Sequence, residues 1–358
     1  MNHPGTSFPN SLPASTAVPL RGGPALRWGV LGPGGIAGDF TTALHRFTDQ
    51  RAVAVGSRSL ERAQAFASRH GIGRAYGSYE QLVDDGDVDI VYISSPHSEH
   101  REHALLAIAA GKHVLVEKPI GVDAQEAADI AEAARAAGVF AMEAMWTRFL
   151  PKFTVIRNLL DDGVLGELEA VTADLGFPAE FDPAGRMWNP DLGGGALLDL
   201  GVYTVWFAQF ALGTPSAVHA FGQLAPTGVD QQVALGLEHH DGAHAQLMVS
   251  LLAETSVRAS IVGRGARIEV DPMFIGPGGF VLSGRGRTLE FVDDSGLVWR
   301  EGLCWQAAAI ARHIADGRTE APEHPLSSSI SQLTTIDAAR TAVTTHSPLS
   351  APRDQNAT

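Results

Sequence analysis

Residues 26–58 read LRWGVLGPGGIAGDFTTALHRFTDQRAVAVGSR. A short apolar run at 26–31 passes through a glycine-rich turn into a helix-spaced pattern, and a second apolar run, 51–56, follows it. Gly32, Gly34 and Ala37 stand at the strand-to-helix junction in the spacing GxGxxA. The first glycine permits the tight turn, the second lets a pyrophosphate approach the backbone, and Ala37 leaves room for the helix to pack on the strand. Gly35 and Ile36 complete the turn, and the first amides of the helix face the phosphates. Strand, turn and helix in that order make a weak motif specific for a dinucleotide.

The alternation continues outward. Helical patterns at 60–71, 99–111 and 124–138 separate apolar runs at 88–96, 112–119 and 139–146. Right-handed crossovers make such a series an α/β, Rossmann-type, doubly wound parallel sheet, here residues 26–146, with ligands beyond the carboxyl ends of its strands. After a helix at 149–163 the pattern changes to longer alternating segments at 167–177, 217–225, 231–240, 243–254, 256–264 and 266–272, then amphipathic helices at 305–317 and 329–343. Residues 147–343 therefore read as an α+β domain with an open, mostly antiparallel sheet, for substrate binding and for pairing with a second subunit. Residues 1–25, rich in Pro, Ser, Thr and Gly, read as a disordered tail without the basic start and apolar centre of a secretory signal, and 344–358 as a second tail.

The 358 residues suit two domains. A formal charge of -14 disfavours nucleic acid and anionic lipid surfaces. Asp199, Thr204 and Gln209 interrupt the longest apolar stretch, 195–213, so no membrane span is expected. The single cysteine, Cys304, allows no internal disulfide and fits a cytoplasmic, reducing setting.

The second strand ends at Gly56-Ser57-Arg58, where an NAD site places an acidic residue on the ribose diol. None is present. Arg58 can bind a 2′-phosphate, Ser57 can donate its hydroxyl, and Arg62 lies one helical turn on, so NADP is the expected cofactor, with NAD as the alternative.

The pieces VLGPGGIAG (30–38), SSPHSEH (94–100), EKPIG (117–121), MEAMWTRF (142–149) and GGGALLDLGVY (193–203) occur in this order. Together they resemble the Gfo/Idh/MocA oxidoreductases, and EAMWTRF with GGGALLDLGVY is most similar to the branch of dihydrodiol and NADP-dependent D-xylose dehydrogenases. The resemblance implies a catalytic Lys118, Glu117 at the nicotinamide pocket, Pro119 after a cis bond, and Ser95, Pro96, His97 and His100 beside the cofactor. It implies Asp199 with Tyr203 as the second catalytic element, and Trp146 and Arg148 on the substrate side.

Physical reasoning supports several of these roles. Lys118, at a strand's carboxyl end, can favour an alkoxide. The four-residue spacing puts Asp199 and Tyr203 on one helical face, where Lys118 should pull the Tyr203 phenol down from its usual pKa. Arg186 and Asn189 are as well placed to anchor a loop as to reach the pocket. His97, His100 and His103 lack the spacing of a metal site, and none is expected. The expected activity is hydride transfer between NADP and a secondary alcohol or carbonyl of a sugar, cyclic polyol or dihydrodiol, in a homodimer or homotetramer. Two alternatives stand beside it: a glycosidase that retains its dinucleotide and works by transient oxidation, and a non-enzymatic NADP sensor.

Overall fold

The computed structural model describes residues 8–346. Its first half follows the alternation read from the sequence: β1 (Arg27–Leu31), α1 (Gly35–Phe47), β2 (Arg51–Gly56), α2 (Leu60–His70), β3 (Arg74–Tyr76), α3 (Tyr79–Val83), β4 (Ile90–Ile93), α4 (His100–Ala109), β5 (His113–Val116), α5 (Ala124–Ala137) and β6 (Ala141–Glu143). The strands form a parallel sheet in the order β3-β2-β1-β4-β5-β6, which reverses direction between β1 and β4. Strand β4 (IVYI) is buried at every position, as a strand covered by helices on both faces must be. Local chemistry sets the helix ends. Ser59 caps α2 by accepting from Arg62 N, Asp123 caps α5 by accepting from Glu126 N, and Gly71 and Gly138 close the same helices in the left-handed region. The pair β3 and α3 was not expected, because three half-buried edge residues show no periodicity.

The second half contains α6 (Pro151–Asp161), β7 (Leu168–Gly176), α7 (Val202–Leu212), β8 (Ala217–Leu224), β9 (Asp230–Glu238), β10 (His244–Ser250), β11 (Ala259–Gly263), β12 (Arg267–Val270), β13 (Phe280–Gly284), β14 (Arg287–Phe291), α8 (Leu303–Ala315) and α9 (Leu326–His346). Its eight strands run in the order β14-β13-β12-β11-β7-β10-β9-β8, antiparallel except for the parallel pair β7 and β10. The hairpin of β13 and β14 adds two strands to the six expected. It turns through Arg285 and Gly286, both at positive φ, in a stretch whose polar residues mask the alternation. Helix α7 packs on one face of this sheet. The other face carries the cross-strand row His219, Gly236, Gln246, Thr172, Ser260 and Glu269.

Helices α8 and α9 return to the first half, packing on α1 and α5 respectively. Two exposed ion pairs, Arg300 with Asp39 and Arg46 with Glu301, join α1 to the turn at 299–302. The segment 8–25 departs from the expected floppy tail. It has no regular structure, yet Phe8 is buried beneath Arg287, Ser15 meets Thr154 at 2.8 Å, and Arg21 pairs with Asp49 at 3.1 Å. Scattered polar anchors hold this strap, and composition does not reveal them. Residues 1–7 and 347–358 of the two expected tails lie outside the described residues. The stretch Pro190–Leu212 is long and apolar enough to cross a membrane by composition, but 78% of its window is buried inside the fold, as in a core helix.

Candidate active site

A cleft of about 1010 Å³ opens at the carboxyl ends of β1, β2, β4 and β5 and runs beneath the second domain. At one end lies the glycine-rich turn. Gly32 has φ +90, and a Cβ there would stand 3.1 Å from Ser95 N, so the close passage of these two loops requires glycine. Beside it, a Cβ on Gly34 or Gly35 would meet no protein atom within 4 Å, and Gly34 leaves the start of α1 without a side-chain cap. Free helix amides behind an open turn whose glycines flank Pro33 fit a pyrophosphate.

Ile36, Ser57, Arg58, Arg62, Ser95 and Pro96 line this end, as expected. Ala37 does not. It is fully buried and serves the helix-strand contact instead of touching a ligand. Arg58 is largely exposed, with Glu99 3.4 Å away, so its guanidinium is free to turn toward a phosphate.

Two histidines stitch the loops of the cleft. His97 Nδ1 lies 3.0 Å from Gly193 O, while His100 sits between Pro119 O at 2.7 Å and Ser95 O at 2.9 Å. Burial lowers the pKa of His97 to about 3, so its ring is neutral near neutral pH; burial also lowers that of His100, against the two carbonyl oxygens, which both favour the charged ring. His103 turns to Ser95 Oγ, 2.8 Å away. Among the described residues, no three His, Cys, Asp or Glu side chains are grouped to hold a metal.

At the other end stands Lys118, just past β5 and followed by a cis peptide to Pro119. Its backbone is held from both sides. Pro119 O faces His100, and Ile120 N donates to Glu143 Oε1 at 3.1 Å. The second oxygen of Glu143 accepts from His324 Nε2 at 2.9 Å and Ser329 Oγ at 2.7 Å, all three residues being buried. Sequence reading missed this support because its parts are far apart in the chain. Glu117 accepts from Tyr92 Oη and, at 3.2 Å, from Lys118 N, and burial raises its pKa.

Lys118 Nζ donates to Asp199 O at 2.8 Å and to Asp199 Oδ1 at 3.2 Å, and lies 4.9 Å from the centre of the Tyr203 ring. Arg186 Nη1 donates to the same carboxylate oxygen at 2.8 Å, which places Arg186 at the centre of the site. Asn189 instead caps a turn by accepting from Asp191 N, so it is the loop anchor of the two. Trp146 Nε1 donates to Tyr203 Oη at 3.0 Å.

Burial opposes the charge on Asp199, but Lys118 and Arg186 outweigh it and hold the carboxyl well below its usual range. Burial also opposes the Lys118 ammonium, and Asp199 and Tyr203 outweigh it, raising its pKa. For Tyr203 burial wins: the pKa is raised, despite the opposing pull of Lys118. This corrects the expected lowering of the phenol, because burial disfavours the phenolate more than Lys118 favours it.

Asp199 and Tyr203 do not lie on one continuous α-helix. Leu197–Gly201, which carries Asp199, is a π-helical turn leading into α7. The glycine run before it reflects close approaches. A Cβ on Gly193 would lie 2.8 Å from His97 Cβ, and one on Gly195, at φ +123, would lie 2.5 Å from Asp230 Oδ1. That aspartate accepts from Leu197 N at 2.6 Å and so fixes the start of the π turn.

Arg148 is the clearest miss. It lies off the cleft, donating to Glu323 O at 3.0 Å. Trp146–Phe149 forms a 3-10 turn, in which residues two apart point in different directions, so Trp146 faces the site and Arg148 cannot. The substrate end instead gains an apolar wall of Leu175, Phe177, Val257, Met273, Ile275 and Trp299. Met273 and Trp299 adopt positive φ, uncommon for such side chains. Trp299 meets Trp146 edge-on at 6.2 Å.

A family model described as "Oxidoreductase family, NAD-binding Rossmann fold" matches residues 26–145, and one for the GFO/IDH/MocA C-terminal domain matches residues 153–269. This chain belongs to the Gfo/Idh/MocA oxidoreductase family. Among Gfo/Idh/MocA relatives, trans-1,2-dihydrobenzene-1,2-diol dehydrogenase of Mus musculus is 35% identical over 332 residues, covering 89% of this chain and 97% of the relative. Two solved structures share the architecture. An aldose-aldose oxidoreductase from Caulobacter crescentus complexed with glycerol has a TM-score of 0.80 and 26% identity, covering 89% of this chain and 97% of that one. A 3-ketoreductase from Actinomadura kijaniata, solved with NADP and TDP-benzene, has a TM-score of 0.75 and 29% identity, covering 89% and 98%. As a member of the Gfo/Idh/MocA family, the protein is an NAD(P)-dependent dehydrogenase.

Proposed function

We propose that this enzyme uses NADP to oxidise a secondary alcohol in a cyclic vicinal diol, a dihydrodiol, cyclic polyol or sugar, or to reduce the matching carbonyl. The observation that carries the reading is the Lys118 ammonium held between the Asp199 carboxylate and the Tyr203 ring, with Trp146 donating to the phenol oxygen. When bound, the dinucleotide supplies or accepts the hydride. The chain's own groups manage the rest. Tyr203, kept as a phenol and with its oxygen already accepting from Trp146, has its O–H free to donate to a carbonyl oxygen; in the oxidative direction the phenol first passes its proton to solvent, and its oxygen then accepts the proton of the alcohol. Lys118 spends two of its three N–H donors on Asp199, and its remaining donor and charge stabilise the developing alkoxide. Arg186 and Asp199 offer a donor and an acceptor for a neighbouring hydroxyl.

Two further features support the details. The Trp146, Trp299 and Ile275 wall gives a flat ring an apolar surface opposite the polar cluster. The names of the relatives, a dihydrodiol dehydrogenase and an aldose oxidoreductase, bracket the same chemistry. Ser57, Arg58 and Arg62 on the cleft, with no acidic residue at the end of β2, favour the phosphorylated dinucleotide. We also infer that the open face of the second sheet pairs with another copy, so sedimentation finds a dimer or tetramer.

An absorbance screen for NADPH against dihydrodiols, inositols and aldoses tests the reading. A cyclic diol turned over with NADP supports it, and failure of all three classes overturns it. Lys118→Met and Tyr203→Phe should each lower turnover by about 10²–10⁴-fold. Dinucleotide affinity, followed by quenching of tryptophan fluorescence, should change little, and unchanged turnover in both variants would sink the assignment.

A further inference from the structure

The turn Trp299–Gly302 belongs to the second half of the chain, yet it packs on α1 and lines the dinucleotide cleft through Trp299 and Arg300. Its two acidic and basic partners in the first half leave it unevenly engaged. Glu301 is fully committed: Oε2 accepts from Val298 N at 3.0 Å, which caps the turn, and Oε1 accepts from Arg46 Nη1 at 2.7 Å. Arg300 is not. Its Nη1 donates to Asp39 Oδ2, and among the described residues the rest of the guanidinium finds no acceptor, with the side chain 45% exposed.

Two neighbours locate that guanidinium along the cleft. Asp39 is one helical turn beyond Gly35, on the helix whose free first amides stand at the glycine turn. On the other side is Glu117: burial raises its pKa, and the Arg300 charge joins Tyr92 and Lys118 in opposing the rise. Arg300 therefore stands on the stretch of cleft from the glycine turn to the Glu117 and Lys118 end.

A pyrophosphate is anionic at both phosphorus centres, and the first domain meets it with backbone amides alone, since Gly32, Pro33, Gly34, Gly35 and Ile36 bring no charge and Pro33 brings no N–H. The lysine and arginine side chains on the cleft are Arg58, Arg62, Lys118, Arg186 and Arg300. Of these, Arg58 and Arg62 follow β2, at the end proposed for the 2′-phosphate, and Lys118 and Arg186 are bonded to Asp199. Arg300 is the cation left for the pyrophosphate, and a guanidinium with unused N–H groups suits paired phosphate oxygens.

We propose that Arg300 binds the pyrophosphate of the dinucleotide, so that the cofactor is held by the α1 amides of the first domain and by a guanidinium of the second. The inference rests on the dinucleotide cleft itself and is independent of the choice between NADP and NAD. Asp39 holds Nη1 and so orients the fork. Trp299 adjoins Arg300 in the same turn and meets Trp146, so a bound dinucleotide also steadies the apolar wall of the substrate end.

The test is calorimetric titration of the full chain with whichever of NADP and NAD the wild type binds more tightly. Two fragments of that dinucleotide are titrated beside it: its ADP-ribose part, which keeps the pyrophosphate and lacks nicotinamide, and its adenosine part, which lacks both. Arg300→Met should weaken the dinucleotide and the ADP-ribose part by about tenfold or more, as the loss of one charge-assisted hydrogen bond requires, and leave the adenosine part unchanged. Arg300→Lys, which keeps the charge and loses the fork, gives a smaller loss in the same direction and covers the case in which the methionine variant does not fold. Asp39→Asn breaks the same ion pair between the halves and should bind the dinucleotide as tightly as wild type. Wild-type affinity of Arg300→Met for the ADP-ribose part overturns the proposal. So does an equal loss in Asp39→Asn, which would make Arg300 a domain fastener only. A wild type that prefers NAD sinks the NADP preference and leaves this inference standing on the same titrations.

Discussion

The proposed preference for NADP rests most on Arg58, the charged side chain nearest the end of β2 in the dinucleotide cleft. Arg58→Ala should weaken NADP by about tenfold or more, the worth of a charge-assisted bond to the 2′-phosphate, and leave NAD nearly unchanged. Equal losses in a fluorescence titration would show that the residue does not read the phosphate. His97 makes a second prediction. Its pKa falls from an ordinary 6.5 to about 3 on folding, so the unfolded chain takes up a proton that the native site refuses. Its contribution to stability is complete above pH 6.5 and is lost as the pH drops toward the folded value. Between about pH 6 and 4 it adds a slope of up to about 1.4 kcal/mol per pH unit. Urea melts of wild type and His97→Gln across that range check it, the variant showing the shallower slope. A variant slope equal to wild type would mean that His97 is not held neutral.

The π turn Leu197–Gly201 exists because Asp230 takes Leu197 N and because Gly195 leaves space for that carboxylate. Gly195→Ala puts a methyl 2.5 Å from Asp230 Oδ1 at φ +123. The strained backbone alone costs about 1–3 kcal/mol, so the variant should melt lower and lose turnover more than dinucleotide affinity. An unchanged kcat would detach the turn from the chemistry. At this scale the sequence is informative where periodicity or spacing carries the signal: the alternation of the first half, the turn at Gly32 and Gly34, and the long strands of the second half. It is silent where geometry is set by partners far away. The spacing of Asp199 and Tyr203 is visible, but not that it spans a π turn. Trp146 and Arg148 are two residues apart, and only the 3-10 turn separates a residue on the site from one behind it. Arg186 carried no local mark that distinguished it from Asn189.

Across the whole molecule, the site belongs to both halves: the dinucleotide turn and Lys118 come from one sheet, and Asp199, Tyr203 and the apolar wall from the other domain. The line between domains read from the sequence is accordingly blurred, since α8 and α9 lie against helices of the first half. The support beneath Lys118 spans half the chain, with Ser329 reaching Glu143 across 186 positions. Contacts so remote close large loops and are slow to form. Refolding should therefore restore helical circular dichroism first and enzymatic competence afterwards. A Ser329→Ala chain, which lacks one of the bonds in that closure, should widen the lag. Simultaneous recovery of the two signals would mean that the lysine is set in place without its distant brace.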